Sequence, residues 1–463
     1  MPKRNTFSPW LVLTALLSLV TLACTLSQAS APPTLVPRQT APPIPTIGYA
    51  TLAPQSLPQQ ASPVATPPPG STSATAIQAM VNRVESDRLM RHVRNLTGFY
   101  TRHVNSPQNR TDYGIGAARN YIYTEFEAIQ AQTQGNLAVF QQEFSLEWNG
   151  VRTQQTNVVA IVGGTQIGAG TIIVGAHYDS RGDDDTDATA YAPGANDNGT
   201  GVAALLEMAR IVADQPHRST VVFVAFSAEE VGRKGSIAFV DGYVNPNIDN
   251  VLAYVNVDAI GSQTYSDGTV SDRQLRVFSQ GPNETSVSRQ VARMANLIAF
   301  NYVPEMEIVV QDALDRPGRY GDHFSFEEAG YPSVRFIEMA ENSSYLDTTD
   351  TIEGINPNYF LRTTQTILAV VSSMANGPQP PRNISLRENG DGTRTLIWED
   401  TPGATSYVVA LRQPNSMIYQ QFETSASSVV WDGFTSTNFT GIAVAAVGNN
   451  GLMGPLSQEI GVP

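Results

Sequence analysis

Six side chains in the middle of the chain combine carboxylates with one imidazole, and five of them directly follow apolar stretches of sequence. Burying so many carboxylates together is strongly unfavourable unless a cation compensates their charge. Imidazole and carboxylate ligands, without thiolates, suit zinc or a chemically similar divalent metal ion. The sequence therefore predicts a divalent metal centre, and a pair of ions is the simplest way to compensate the charge. The candidate residues are His177, Asp179, Asp197, Glu229, Glu230 and Asp258.

Buried parallel strands are expected to hold these side chains at one edge of a sheet. The runs at 172–174 and 221–224 are continuously apolar, as expected of strands that are covered on both faces. A stretch with helical periodicity, 201–212, lies between them, and this order predicts crossover units. Functional groups in such sheets lie beyond the carboxyl ends of the strands. The predicted fold class is α/β, with a three-layer mixed, mostly parallel sheet and helices on both faces.

The same residues resemble the signature of the co-catalytic zinc aminopeptidase family, which includes aminopeptidase Y, bacterial leucyl aminopeptidases and glutamate carboxypeptidase II. The matching segments occur in the family's order, and the resemblance covers roughly residues 81–376. It implies a zinc peptidase with two metal ions. The segments are His177-x-Asp179, Asp197-Asn-x-x-Gly201, Glu229-Glu230, Asn256-x-Asp258 and Gly321-Asp-His323-Phe-Ser-Phe-Glu-Glu-Ala-Gly-Tyr-Pro.

The resemblance also implies a role for each matching residue. Asp179 would orient His177 by accepting its other ring proton. Glu229 would be the general base, which takes a proton from the metal-bound water and passes it to the leaving amine. The implied metal ligands are His177 and Asp258 for the first zinc, Glu230 for the second, and Asp197 as a bridge between them.

The chain departs from the family pattern at the last metal ligand. The family has a histidine in a Tyr-His-Thr-x-x-Asp-Thr segment, whereas this chain reads Tyr345-Leu-Asp-Thr-Thr-Asp-Thr351. Leu346 takes the ligand position in a gapless alignment, and Asp347 takes it if one residue is deleted. Three interpretations stay open: Asp347 as a substitute ligand, a weakened or single-metal site, or a non-catalytic cell-surface binding protein. We favour the first, because the Glu229-Glu230 pair is retained.

The predicted function is an exported zinc metallo-exopeptidase that hydrolyses N-terminal peptide bonds, with a peptide that has a free N-terminus as substrate. Carboxypeptidase or glutaminyl cyclase action on the same fold is the alternative. The acidic segment 183–187 is expected to rim the cleft, which would favour a substrate with an α-ammonium group. The net charge of −14 disfavours nonspecific binding to nucleic acid or anionic membrane.

Residues 1–24 are predicted to be an export signal, in which an apolar run at 10–23 follows a basic start. Ala23-Cys24 resembles the end of a bacterial lipoprotein signal, so a lipid anchor on Cys24 is the expected contact with a membrane. The expected location is the cell surface, with plain secretion or an uncleaved anchor as alternatives. Residues 25–75 are rich in Pro, Ala, Ser and Thr and are expected to form a disordered tether.

Composition divides the remainder of the chain. Residues 76–376 are the predicted peptidase domain, and 377–381 form a Pro-rich linker. Short alternating strands in 382–463 predict an all-β sandwich that resembles a fibronectin type III domain, with Trp398 and Tyr407 in its core.

Four further histidines lie outside the predicted ligand set. His92, His103 and His217 stand alone in the sequence and are expected at the surface or in helix caps. His323 belongs to the family-like segment and is expected either to be structural or to contact substrate.

Overall fold

A computed structural model of the chain describes residues 74–279, 286–340 and 348–463. The predicted export signal, nearly all of the predicted tether and Asp347 lie outside these ranges. Within them, no helix combines the length and the apolar character that crossing a membrane requires.

A mixed sheet of eight strands forms the centre of the α/β domain in the described part of the chain. Continuous apolar runs form its inner strands, which are buried along almost their whole length. The strands are β1 (Leu137–Trp148), β2 (Val151–Val162), β3 (Thr171–His177), β4 (Thr220–Phe226), β5 (Val251–Val257), β6 (Gln274–Ser279), β7 (Glu307–Val310) and β8 (Ser333–Glu338).

The strand order is β1-β2-β4-β3-β5-β8-β6-β7. The pairings β3–β4, β3–β5, β5–β8 and β6–β7 are parallel, and the others are antiparallel. The predicted fold class is therefore confirmed. Strand β3 lies between β4 and β5, so the carboxyl ends of these three parallel strands share one edge of the sheet.

Helices cover both faces of this sheet, because successive side chains of each strand point to opposite faces. Phe223 of β4 packs into the larger core, together with α1–α4, α6 and α8, whereas Val222 and Val224 pack towards α5 and α7. The helices are α1 (Ala74–Val81), α2 (Ser86–Thr97), α3 (Gly114–Gln132), α4 (Gly201–Val212), α5 (Lys234–Phe239), α6 (Val287–Tyr302), α7 (His323–Glu328) and α8 (Pro357–Asn376).

The C-terminal region is a separate antiparallel sandwich, as the sequence predicts. One sheet has the order β13-β10-β9, and the other has β12-β11-β14-β15 with β16 beside β14. Trp398 and Tyr407 are buried in its core and contact each other edge to face. Membership of the fibronectin type III class stays a prediction. The strands are β9 (Ser385–Glu388), β10 (Arg394–Ile397), β11 (Ala404–Arg412), β12 (Gln420–Thr424), β13 (Ser428–Trp431), β14 (Gly441–Gly448), β15 (Met453–Leu456) and β16 (Ile460–Gly461).

The sandwich packs directly on the α/β domain. Val408 and Ala445, on the outer face of its larger sheet, belong to the same hydrophobic core as Met374 of α8. The predicted linker is part of this contact, since a Cβ atom added to Gly454 would lie 1.9 Å from the carbonyl oxygen of Pro378. The two regions therefore share one continuous core.

A buried group of charges also joins the two regions, and we call it the Glu459 cluster. The carboxylate of Glu459 accepts hydrogen bonds from Arg412 Nη2 at 2.8 Å and from the Tyr419 hydroxyl at 2.6 Å. Arg293 of α6 approaches the same carboxylate, with Nη1 3.5 Å from Oε2. The Glu459 carboxylate thus has its counter-charge from two arginines of the protein itself.

Candidate metal centre

The ends of β3, β4 and β5 place the predicted ligands side by side. His177 is the last residue of β3 and pairs in register with Phe226, which ends β4. Glu229 follows β4 after a turn in which Ala228 has a positive φ of 62°, and Asp258 follows β5 directly. The strand-end argument from sequence thus describes how these residues meet.

Three of these side chains converge on one point. The Nε2 atom of His177 lies 3.1 Å from Asp197 Oδ1 and 3.4 Å from Asp258 Oδ1. Both oxygens are buried, and neither has a hydrogen-bond partner among the described residues. Ligand atoms that share a tetrahedral zinc at 2.0–2.1 Å lie about 3.3 Å from one another. His177, Asp197 and Asp258 therefore fit the donor set of one zinc ion.

The second predicted site is different, because a protein cation already contacts its carboxylate. Arg181 Nε donates a hydrogen bond of 3.0 Å to Glu230 Oε2, while Glu230 Oε1 is buried without a described partner. The remaining predicted ligand, Asp347, lies outside the described residues. The described structure thus places Glu230 beside the first donor set without completing a second one.

Glu229 occupies the position expected of a base. Its Oε2 atom lies 3.9 Å from His177 Nε2, and its side chain lines a cavity. Burial raises the pKa of Glu229 well above its ordinary value, and the nearby Asp322 and Glu230 raise it further. A carboxyl group whose pKa is raised in this way takes up a proton more readily than a solvent-exposed one.

The carboxylate of Asp179 fixes the turn that carries Glu229 and Glu230, but it does not orient His177 in the way that the sequence predicts. Its carboxylate accepts hydrogen bonds from the backbone N–H groups of Glu229 and Glu230, both at 3.0 Å. The Nδ1 atom of His177 is nearer to the main-chain oxygen of Asp179, at 3.2 Å, than to its carboxylate, at 3.6 Å. The carboxylate therefore fixes the turn that carries the glutamates, and the carbonyl faces the imidazole.

The turn that carries Asp197 is fixed by two residues that sequence reasoning missed. The fully buried guanidinium of Arg102 donates hydrogen bonds to the carbonyl oxygens of Gly194, at 2.8 Å, and of Pro193. Gly194 has a φ of 51°, and a Cβ atom there would lie 2.6 Å from Arg102 Nη2. Asp350 accepts a hydrogen bond of 2.9 Å from the backbone N–H of Asp197. Asp350 had a sequence signal, since it belongs to the Asp-Thr end of the last family-like segment.

Arg335, at the middle of β8, is a further residue that the sequence did not mark. Its Nη2 atom lies 3.0 Å from Asp258 Oδ2, and its Nη1 atom lies 2.6 Å from Asp315 Oδ2. Burial alone would raise the pKa of Asp258, but the charges of Arg335 and His177 bring it below its ordinary value. Arg335 thus keeps one ligand ionised and oriented.

The electrostatics of the centre fit a divalent cation. Burial, reinforced by Asp197, raises the pKa of Glu230 to about 8. Burial alone would lower the pKa of His177, but Glu229 and Asp258 raise it well above its ordinary value. The protein's own groups therefore retain protons at a site where the acids outnumber the cations. A metal ion takes the place of such protons, since its ligands bind in the deprotonated state.

The remaining histidines are buried, so the surface positions predicted for three of them are wrong. His92, His103 and His217 are each at most 3% exposed. The capping role predicted from sequence holds for His217, whose Nε2 donates to the carbonyl oxygen of Val212 at the end of α4. His323 is fully buried, and its Nε2 donates to the carbonyl oxygen of Leu314. His323 does not line the cavity beside the metal-binding residues, so this structure gives no support for a substrate contact by His323.

A cavity of about 240 Å³ opens beside the metal-binding residues. The predicted acidic rim at 183–187 does not line it, and the carboxylates of Asp184 and Asp187 instead accept hydrogen bonds within their own turns. A larger hollow of about 540 Å³ at the end of the sandwich is lined by Ile384, Leu386 and Val462 with their neighbours. That hollow offers no titratable side chain. The smaller cavity is therefore the candidate substrate site.

An α/β sheet with one imidazole and several carboxylates at its strand ends defines an enzyme with a zinc centre. The model of peptidase family M28 matches residues 157–371. A probable zinc metalloprotease of Leptosphaeria maculans is 32% identical over 376 residues, which cover 74% of this chain and 87% of that protein. A probable zinc metalloprotease of Pyricularia oryzae is 33% identical over 400 residues, which cover 78% of each. This chain belongs to peptidase family M28 and is a zinc metallopeptidase.

Solved structures with the same fold extend the comparison. The LapA aminopeptidase of Legionella pneumophila has a TM-score of 0.53 and 20% identity, and the match covers 65% of this chain and 76% of that one. An aminopeptidase from Aneurinibacillus has a TM-score of 0.51 and 14% identity, and the match covers 65% of this chain and 96% of that one. At these identities the likeness shows the fold alone.

Proposed function

We propose that this metallopeptidase is an aminopeptidase, which removes the N-terminal residue of a peptide. The observation that carries the proposal is the cavity beside Glu229 and the donor set of His177, Asp197 and Asp258. Its volume of about 240 Å³ is below the roughly 300–1,000 Å³ of pockets that take drug-sized ligands. Such a cavity suits one terminal residue better than an extended chain. The aminopeptidases LapA and the Aneurinibacillus enzyme, which share the fold, support the same choice.

The residues of the centre divide the chemical work. Zinc, when bound, supplies a Lewis acid that polarises the scissile carbonyl group and makes water more acidic. Glu229 holds the proton that leaves the nucleophile and delivers it to the departing amine. The carboxylate of Asp179 fixes Glu229 by accepting a hydrogen bond of 3.0 Å from the backbone N–H group of Glu229. Asp350 fixes Asp197 in the same way, at 2.9 Å. The protein thus positions both the base and a ligand through the main chain.

A set of three matched peptides tests the proposal. The first has a free N-terminus and an amidated C-terminus, the second has an acetylated N-terminus and a free C-terminus, and the third is blocked at both ends. We expect the zinc-loaded full-length protein to release the first residue of the first peptide only. Cleavage of the second peptide at its C-terminus would establish a carboxypeptidase, and internal cleavage of the third would establish an endopeptidase.

We also propose that the enzyme is exported and anchored at the cell surface through Cys24. The basic start, the apolar run at 10–23 and the single cysteine of the chain support this location. Expression of the Cys24→Ser variant in a bacterial host tests it. We expect the wild-type protein in the membrane fraction and the variant without a lipid on this residue. An unlipidated wild-type protein in the medium would establish plain secretion.

A further inference from the structure

The charged residues that line the cavity fall into two groups. The acids belong to the metal centre, and every other charged residue of the lining is an arginine. An enzyme that selects only an α-ammonium group has no need of this arrangement, since arginines repel it. The acids are Asp197, Glu229 and Glu230, and the arginines are Arg181, Arg233, Arg316, Arg319 and Arg335.

The inner arginines are already engaged with the centre. Arg335 bridges Asp258 and Asp315 at 3.0 and 2.6 Å, and Arg181 contacts Glu230 at 3.0 Å. These two side chains are largely buried, with exposed fractions of 7% and 23%. Their charge therefore acts on the metal-binding acids before it acts on a substrate.

The outer arginines lie on the segment 316–320 at the mouth of the cavity. Arg316 Nε lies 3.2 Å from Asp315 Oδ1, but the other oxygen of that carboxylate is held by Arg335. Arg319 is exposed, and no acid of the described residues lies within ion-pair distance of its guanidinium. Arg319 therefore places at the cavity mouth a positive charge that has no ion-pair partner among the described residues.

The same segment is held in place by the active-site arginine behind it. The backbone N–H of Arg319 donates to the carbonyl oxygen of Arg316 at 3.0 Å, which closes a turn through Gly318. Arg335 Nη1 donates to the carbonyl oxygen of Arg319 at 3.4 Å. Tyr320 stacks on Phe324 with ring centroids 4.8 Å apart. Arg319 is thus attached to a braced turn rather than to a loose loop.

We propose that Arg319 selects substrates that carry a carboxylate close to the scissile bond. A guanidinium group binds a carboxylate through two parallel hydrogen bonds, and this geometry is specific to the pair. The carboxylate has two possible sources: the side chain of an N-terminal Glu or Asp residue, or the C-terminus of a dipeptide. The proposal rests on the proposed aminopeptidase function and names its substrate class.

The test compares acidic substrates with their neutral isosteres. In the first arm, peptides that begin with Glu or Gln are amidated at the C-terminus. In the second arm, a dipeptide that begins with Gln is compared with its C-terminal amide. Wild-type protein is expected to favour the carboxylate in one arm by about three- to tenfold in kcat/KM, because the two-hydrogen-bond pair forms at an exposed mouth, where water weakens ion pairs. The arm that shows the preference identifies the source of the carboxylate.

Arg319→Gln should reduce the ratio of kcat/KM between the acidic and the neutral substrate to near one. The matched control is Arg387→Gln, since Arg387 is an exposed arginine on β9 of the sandwich. It should leave the ratio unchanged. Added salt should weaken the wild-type preference, because the pairing takes place at an exposed mouth.

Equal rates for the acidic and neutral substrates in both arms would overturn the proposal, as would a preference that survives Arg319→Gln. Such a result leaves the proposed aminopeptidase function intact. If no peptide with a free N-terminus is cleaved, the proposed aminopeptidase function itself is contradicted. Equilibrium binding of free glutamate against glutamine measures the same preference without turnover. Tighter binding of glutamate that is lost in Arg319→Gln would support the side-chain source even then. For the C-terminal source, binding of the dipeptide is compared with binding of its amide, and equal binding in both comparisons would contradict the proposal.

Discussion

The candidate metal centre and the Glu459 cluster both contain buried carboxylate oxygens beside arginines, but their charges are compensated in different ways. In the Glu459 cluster, two arginines and a tyrosine surround one carboxylate, and its oxygens accept hydrogen bonds as short as 2.6 Å. In the metal centre, buried oxygens of Asp197, Asp258 and Glu230 have no hydrogen-bond partner among the described residues. These oxygen atoms are buried, as is the carboxylate of Glu459, so the burial of the acceptor atoms alone does not distinguish the two regions.

The difference teaches how to separate a structural charge cluster from a functional one. A buried carboxylate without a partner costs free energy, because it has lost its hydration without compensation. The Glu459 cluster avoids this cost with protein cations and thereby joins the sandwich to α6. In the candidate metal centre, the acceptors of Asp197 and Asp258 instead lie close to one another and to His177 Nε2, as the ligands of one divalent ion would. Variants in the two regions should therefore affect different properties of the molecule.

The largest expected effect is on catalysis. Glu229→Gln keeps the shape of the side chain but cannot take up a proton, so we expect kcat to fall by about 10³–10⁴-fold. The zinc content should stay at the wild-type value, because His177, Asp197 and Asp258 are untouched. Steady-state kinetics together with metal analysis of the purified protein measure both quantities.

The control for this variant is Glu328→Gln. Glu328 is half-exposed and pairs with Arg233 at 3.2 Å outside the donor set. It should retain nearly full activity and the same zinc content. If Glu229→Gln lost zinc, Glu229 would be a ligand rather than a base, and the comparison between the two regions would need a different assignment of this residue.

The second largest effect is on stability and falls in the Glu459 cluster. Glu459→Gln removes the carboxylate that Arg293 and Arg412 share, and breaking a buried ion pair costs about 3–5 kcal/mol. We expect the free energy of unfolding to fall by about 3 kcal/mol in chemical denaturation. Zinc content at a temperature where the protein is folded should be unchanged.

Glu388→Gln is the matched control in the same sandwich. Glu388 pairs with Arg394 at 2.7 Å, but its side chain is 73% exposed. Exposed pairs contribute about 0–1 kcal/mol, so this variant should be close to wild type. Equal losses in the two variants would show that the burial of Glu459 does not determine its contribution.

Sequence reasoning reached the strand-end residues because parallel crossovers bring the carboxyl ends of strands together. That rule alone is enough to predict that His177, Glu229 and Asp258 lie close together. Arg102 and Arg335 were missed because a long side chain can reach a site from a distant segment, and nothing in the local pattern indicates its direction. The contribution of Asp347 stays a prediction, since it lies outside the described residues.

Two further errors have a shared physical cause. The acidic segment 183–187 is expected to rim the cleft, but none of its residues lines the cavity, and the carboxylates of Asp184 and Asp187 accept hydrogen bonds from neighbouring backbone groups. His92 was expected at the surface, but it is buried beside the hydroxyl of Tyr121. In both cases a polar side chain found a partner within the protein, and a single sequence does not reveal such partners.

A smaller effect should follow from a change behind the metal ligands. Asp350→Asn keeps the size of the side chain. The Asn side chain has only one oxygen that can accept hydrogen bonds, whereas the two carboxylate oxygens of Asp350 accept hydrogen bonds from the backbone N–H groups of Asn196 and Asp197. Supporting residues of this kind change metal affinity by about 10–100-fold. We expect about tenfold weaker zinc binding in competition with a chelator. Glu353→Gln, an exposed neighbour in the same segment, is the control, and equal affinities in the two variants would exclude a positioning role for Asp350.

The smallest effect concerns a buried histidine that belongs to neither charge cluster. Burial, with a smaller contribution from Arg91, lowers the pKa of His92 from 6.5 to about 3. Below pH 6.5 the unfolded chain binds a proton that the folded protein excludes, so stability must fall as the pH decreases. Between pH 7.5 and 5.5 this linkage amounts to about 1 kcal/mol. His92→Gln should remove that part of the decrease in the free energy of unfolding.

The control is Asn95→Ala, because Asn95 donates a 2.9 Å hydrogen bond to the same Tyr121 hydroxyl but does not titrate. It should lower stability equally at both pH values and keep the wild-type pH dependence. Since the comparison uses the slope rather than the absolute stability, packing losses in either variant cancel. A His92→Gln protein with the wild-type slope would show that His92 is protonated in the folded state, with its charge compensated as in the Glu459 cluster.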